Sequence, residues 1–322
     1  MEEKLYDGQL FKQALKSAEV QLEKRIDELN ELNVFPVPDG DTGINMYLTM
    51  QAAAKSVEDL TTTSVAEVTA KAARGALLGA RGNSGVLLSQ MLRGMAKALE
   101  MKERFTSFDF AQALRHASDT AYRSIGKPVE GTILTVIREA ADTAHKQAKR
   151  GASLKQTLVA VATQAKNTVK QTPELLPQLK EAGVVDAGGK GLFYVFLGMK
   201  QFFSHTTAKL EKTRGATRKD TTKTVSQRYG FDLQFLIEGQ KLPLSEIREK
   251  INGMGNSVLV VGDENIIRVH VHTREPRKIL NYCANKGRLK DVTQEDMDKQ
   301  VARRRRQNKS RIKRTLSSTA DY

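Results

Sequence analysis

Apolar residues recur at helical spacing through most of the first two hundred positions. Leu10, Phe11, Ala14, Leu15, Ala18, Leu22, Ile26 and Leu29 mark one face of a helix, because residues three and four apart share a side. The same periodicity predicts helices over 45–58, 64–78, 84–100, 108–122, 131–149, 154–170 and 190–203. Short polar or Gly/Pro-bearing breaks separate most of them, so successive helices should pack as antiparallel neighbours. No alternating β-branched run occurs before residue 225, and residues 1–205 read as an all-α domain. Residues 206–227, rich in Thr and Lys and poor in apolar side chains, read as a flexible linker. Beyond it, FDLQFLIEG, NSVLVVGDE and NIIRVHVHT read as short strands, with helical segments at 245–254 and 276–286. That pattern predicts a small α+β domain over 228–300.

Composition changes this picture little until the end of the chain. At 322 residues, two domains are the default. The single cysteine, Cys283, excludes an intrachain disulfide and fits a reducing cytoplasm; on its own it reads as a small apolar residue. MEEKLYDG carries no basic-then-apolar signal, and no apolar run approaches the roughly 20 residues that span a bilayer. A soluble, cytoplasmic protein without a transmembrane segment is expected. The formal net charge is +15, and nearly half of it lies from Arg303 onward, where eight basic residues precede Thr315 and the only acid is Asp321. Residues 301–322 therefore read as a basic, disordered tail, since blocks of like charge repel.

Chemistry concentrates in glycine-rich turns. In NVFPVPDGDTGINM, Asp39 and Asp41 stand across Gly40 after two prolines, Pro36 and Pro38. Proline stiffens the approach and glycine opens backbone angles closed to other residues. Two hard oxygen ligands on such a loop suit magnesium, which pairs one or two carboxylates with waters and nucleotide phosphates; an ordinary acidic turn is the alternative. A second turn, Gly75 to Gly85, leads into an apolar helix. There Gly79, Ala80, Arg81, Gly82, Asn83 and Ser84 could receive phosphate oxygens at a helix N-terminus, or simply connect two helices. A third, GVVDAGGKG, places Asp186 and Gly188 before another helix. Three such turns, one with paired acids, suggest one shared pocket. Thr42, Asn45 and Thr132 carry groups that reach phosphate or ribose, or cap helices. His270 and His272 lie two apart in a strand and so share a face. They suit zinc, proton or phosphate handling, or form a polar pair on a solvent-facing side.

NVFPVPDGDTG, GARGNSG, EGTILTV and DAGGKG together resemble the signatures of the dihydroxyacetone-kinase nucleotide-binding (DhaL) domain, in the version found in the ATP-binding subunit of bacterial fatty acid kinase. The resemblance covers about residues 8–205 and continues more weakly to about Gln300. It implies a mainly α fold, an eight-helix up-and-down barrel followed by a smaller α+β domain. It implies ATP and two magnesium ions at one barrel end, with Asp39, Asp41 and Asn33 as metal ligands; Asn33 stands where the shorter branch has an acid. It implies phosphoryl transfer to a fatty acid held by a separate fatty-acid-binding carrier protein, with His270 and His272 as catalytic residues, and a homodimer formed through the middle domain. The pattern associates VHVHT with zinc and a cysteine in the first strand; Asp232 stands at that position, which weakens the expectation of Zn2+. Relatives continue into a third, lipid-carrier-like domain, and the basic ending here reads as a frameshift or premature stop rather than a functional tail. Two other readings compete. One is a kinase of dihydroxyacetone or another small ketose, which the strand-rich second domain disfavours. The other is a non-enzymatic nucleic-acid binder acting through the tail, which lacks aromatic residues before Tyr322 for base stacking.

Overall fold

A computed structural model of the protein describes residues 4–204, 229–304 and 306; the expected linker and most of the basic tail lie outside them. The first part comprises α1 (Gly8–Glu23), α2 (Ile26–Leu32), α3 (Thr42–Ser56), α4 (Val65–Gly79), α5 (Gly82–Leu99), α6 (Ser107–Ser124), α7 (Ile133–Lys149), α8 (Leu154–Leu175), α9 (Pro177–Ala182) and α10 (Ala187–Ser204). Apart from the short α2 and α9, eight long helices remain. Each packs on its neighbours in the order α1, α3, α4, α5, α6, α7, α8, α10, and α10 closes back on α1. The result is a closed up-and-down helical barrel. Its centre is filled by side chains including Leu22, Met46, Met50, Leu88, Leu114 and Ile137, all fully buried. This is the expected outcome when every helix carries one apolar stripe and short connections force antiparallel neighbours.

One boundary departs from the periodicity. The helix expected to run through Leu29 breaks at Lys24 and Arg25. Arg25 leaves helical angles (φ −124°) and lays its guanidinium over the Tyr194 ring, and the short α2 then leads into the acidic loop.

The second part contains β1 (Phe231–Glu238), α11 (Leu244–Asn252), β2 (Asn256–Gly262), β3 (Ile266–Thr273), α12 (Pro276–Ala284) and β4 (Arg288–Asp296). They form an antiparallel sheet in the order β2-β3-β1-β4. Alternation along the strands divides its residues between two faces. Leu233, Phe235, Ile237, Val269 and Val271 join Ile247 and Ile251 of α11 and Ile279 and Cys283 of α12 in one core. Leu236, Leu259, Val261 and Ile266 point the other way and belong to the barrel's own core. The sheet is thus a lid fused to one end of the barrel, rather than a body approaching across a linker. β4, which the sequence pattern does not predict, is mostly exposed and charged. It is an edge strand held by backbone pairing to β1, and charge on an edge discourages pairing with other chains.

Residues 297–304 form a further helical segment, so residues 301–304 are helical rather than part of the expected disordered tail. Met297 and Val301 pack on Val37 of the acidic loop.

Candidate active site

The acidic loop owes its shape to two asparagines of the α2 turn. Asn33 is buried; its side-chain oxygen accepts from the backbone N–H groups of Gly40, Asp41 and Thr42, and its amide donates to Val37. Asn30 likewise accepts from Gly43 and Ile44 at the start of α3. Gly40 between the acids has φ 82°, a conformation that disfavours any side chain. Arg304, from the last helical segment, donates to the carbonyls of Asn33, Asn30 and Glu31 at 2.5, 2.8 and 3.0 Å. Asn33 thus caps the loop from within. Its oxygen is the acceptor for three backbone amides that shape the loop.

Asp39 and Asp41 lie close enough to share a hydrogen bond. Burial and the adjoining Asp41 push the Asp39 carboxyl up to about 8. Burial also raises Asp41, helped by the charge of Asp232 and opposed by a hydrogen bond from Asn45. Neither acid has an ion-pair partner among the described residues.

Facing them from the lid are Asp232 on β1 and His270 and His272 on β3. Register explains the grouping: Asp232 pairs with His272 and Gln234 with His270, so alternate residues of both strands line one patch. All four are buried, His270 to 1% exposure, which overturns the reading of the histidines as a solvent-facing pair. One ligand atom from each of Asp232, His270 and His272 lies within 4.8 Å of the others. His270 Nδ1 is 3.1 Å from Asp232 Oδ1, yet both His270 nitrogens and that oxygen lack an aligned hydrogen bond. Burial would raise Asp232, but the His270 imidazole beside it carries it below the usual carboxylate range. Burial lowers His272 to about 4, with His270 reinforcing the effect, so its ring is neutral at pH 7.

Between lid and barrel lies a cavity of about 510 Å³, within the size range of small-molecule and cofactor sites. It brings together Thr42, Asn83, Ser84, Thr132, Asp186 and Gly188, at the starts of α3, α5, α7 and α10. Thr132 caps α7, accepting from Leu134 N–H. Asp186 accepts from Gly189 N–H at 2.6 Å, and burial lifts its carboxyl to about 6. Asn45 does not line the cavity; it is buried and hydrogen-bonded to Asp41.

Four residues of the expected phosphate turn do not line this cavity. A Cβ at Gly79 would meet Ala52 Cβ at 2.2 Å, so this glycine serves the close packing of α3 on α4. Ala80 offers its carbonyl to Arg268, and Gly82 (φ 57°) donates its N–H to Gln234 at 3.0 Å. Arg81 is exposed near Arg268, whose charge it opposes. This segment is the seam that docks the lid. Gln234, Arg268, Asn30 and Arg304 carry no motif, and only strand alternation could have pointed to the first two.

Residues 36–201 match the DAK2 domain model, and residues 228–304 match the FakA-like fatty acid kinase middle-domain model. Protein YloV of Bacillus subtilis (strain 168) is 37% identical over 309 residues, covering 91% of this chain and 56% of YloV. Uncharacterized protein SSP1546 of Staphylococcus saprophyticus is 38% identical over 307 residues, with the same coverage of 91% and 56%. The chain spans about half the length of the curated relatives it matches. Among solved structures, the dihydroxyacetone kinase from C. freundii in complex with AMP-PNP and Mg2+ aligns at TM-score 0.47 and 19% identity, over 62% of this chain and 35% of that one. By the two domain matches, the chain belongs to the DAK2-domain family and carries behind that domain a FakA-like fatty acid kinase middle domain.

Proposed function

We propose that this chain is the nucleotide-binding, phosphoryl-transferring part of a kinase whose acceptor is a fatty acid presented by a separate carrier protein. The observation that carries the reading is the convergence of Asp39 and Asp41 with Asp232 and His270, and of these with His272, next to a cavity lined by Thr42, the residue that follows Asp41. The family descriptions support it: one domain is of the DAK2 type and the other is of the FakA-like fatty acid kinase type.

The residues fit a magnesium nucleotide. Two carboxylates are held together by a rigid loop, both raised by burial, Asp39 further by repulsion from Asp41 and Asp41 by that from Asp232, and neither has an ion-pair partner among the described residues. A dication would relieve that repulsion, and hard oxygen donors with room for phosphate oxygens and water are what magnesium selects. Asp39 and Asp41 would hold it, while Asn83 and Ser84 at the start of α5 would face the phosphates. Magnesium, when bound, neutralises negative charge on the phosphates, which is the larger part of catalysis in such reactions. The Asp232, His270 and His272 group also fits a divalent cation, because buried imidazole nitrogens and a carboxylate oxygen stand unpartnered within ligand reach of one another. Two imidazoles and one carboxylate suit zinc. On this reading the lid supplies the transfer side of the site and the barrel the nucleotide side.

The test is acyl-phosphate formation from ATP with a fatty acid loaded on a cognate carrier protein. Magnesium-dependent product with the fatty acid, and none with dihydroxyacetone, is expected. Phosphorylation of dihydroxyacetone instead would overturn the assignment of the acceptor.

A further inference from the structure

The cavity has two dissimilar ends. One includes Thr42, directly after Asp41, and Asn83 and Ser84 at the start of α5. The other lies between residues 125–129, which link α6 to α7, and the stretch from the end of α11 into β2. There Ile125, Val129, Val258 and Leu259 supply apolar walls, and Asn252, Asn256 and Ser257 supply polar groups. The two sides are joined by a backbone bridge between Ile125 and Leu259.

None of the Asn252, Asn256 and Ser257 side chains has a hydrogen-bond partner among the described residues. Ser257 adopts φ 51°, unusual for a residue with a side chain. It lies where the pairing of β2 with β3 shifts register between Asn256 and Leu259. Bulges of this kind re-aim side chains and occur beside functional sites. Apolar walls carrying a few unspent amide and hydroxyl groups are the surface that a flat, hydrogen-bonding ring and a sugar require.

We infer that the second domain completes the nucleotide site, with Asn252, Asn256 and Ser257 contacting the base and ribose while the barrel holds the phosphates. This rests on the magnesium-nucleotide reading and extends it: selection of the nucleoside is shared between domains. A barrel without its lid binds the phosphates but discriminates poorly among nucleosides.

Calorimetry on the full chain in magnesium tests this, using ATP and inorganic tripolyphosphate as paired probes. Each of Asn252→Ala and Asn256→Ala should weaken ATP by up to about tenfold, the worth of one or two net hydrogen bonds, and leave tripolyphosphate unchanged. Ser257→Gly, which relieves the backbone and removes the hydroxyl, should behave the same way without loss of thermal stability. Equal weakening of both probes would show the three residues to be merely structural and would overturn the inference. Unchanged ATP affinity in all three variants would overturn it as well. A wild-type protein that binds neither probe would instead refute the nucleotide reading beneath it.

Discussion

The two halves of the site carry acids in opposite electrostatic conditions. On the barrel, Asp39 and Asp41 lie together and are raised, with no ion-pair partner among the described residues and only a minor opposing influence of His270 on Asp41. On the lid, Asp232 is equally enclosed yet lowered, because His270 stands against it. The same residue type under similar burial is driven in opposite directions by its neighbour, as expected when charge proximity outweighs desolvation on one side and adds to it on the other. The barrel half is built to receive positive charge. The lid half is already partly compensated and is positioned by the strand register that sets Asp232 opposite His272 and next to His270's partner Gln234.

The strongest way to separate the halves is to disable one at a time. His270→Ala removes a fully buried ring from the transfer side without touching the acidic loop. Phosphoryl transfer should fall by about a hundredfold or more, in the range lost when a positioned catalytic group is removed, while ATP affinity stays within about twofold. Metal analysis of the purified wild type and variant should accompany the assay, with bound zinc lost from the variant. Equal losses of affinity and transfer would dissolve the division of labour.

A smaller effect concerns stability against pH in metal-free protein. The folded Asp39 pKa of about 8 lies above the unfolded value, so folding retains a proton that the unfolded chain has released. Stability is therefore lost as pH rises toward 8. The folded His272 pKa, about 4, lies below its unfolded value near 6.5 and penalises folding as pH falls below 6.5. Between 4 and 6.5 the two oppose each other; between 6.5 and 8 the Asp39 contribution is unopposed by His272. Thermal melts should show the metal-free protein losing stability from pH 6.5 to 8, with Asp39→Asn flattening that slope. A wild-type slope unchanged in the variant would place the raised acid elsewhere.

The third expectation concerns the loop's support. Asn33→Ala strips three backbone amides of their acceptor, a cost of about 1–3 kcal/mol, and should lower the melting temperature by several degrees. Arg304→Ala removes contacts at the partly solvated edge of the same loop and should weaken Mg-ATP only about two- to threefold. A larger effect from Arg304 than from Asn33 would invert the order of support read from their burial.

How much of this is legible in the sequence depends on whether a feature is local or tertiary. Helix stripes such as Leu10 to Leu22 are local, and most barrel helices begin and end within a few residues of the expected positions, apart from the ends of α1, which stops at Glu23, and of α8, which runs on to Leu175. The spacing of His270 and His272 places them on one face, but which face depends on packing against the barrel, and the solvent-facing alternative fails for that reason. β4 escapes prediction because RLKDVTQED is charged, and its strand exists only through pairing with β1. Gly79 reads as part of a phosphate turn because a glycine that admits a neighbouring helix and one that admits an anion look alike in sequence. Asn33 could ligate a metal or cap a loop, and its capping of three amides becomes visible only in the folded loop.

Everything proposed for the site depends on the barrel's paired acids binding the nucleotide through magnesium. The most direct test is calorimetric titration of ATP into wild-type protein and the Asp39→Asn/Asp41→Asn double variant, each with and without magnesium. Wild-type binding that requires magnesium and is lost in the double variant, with unchanged helical circular dichroism, is expected. Undiminished affinity in the double variant would contradict that role for the two acids.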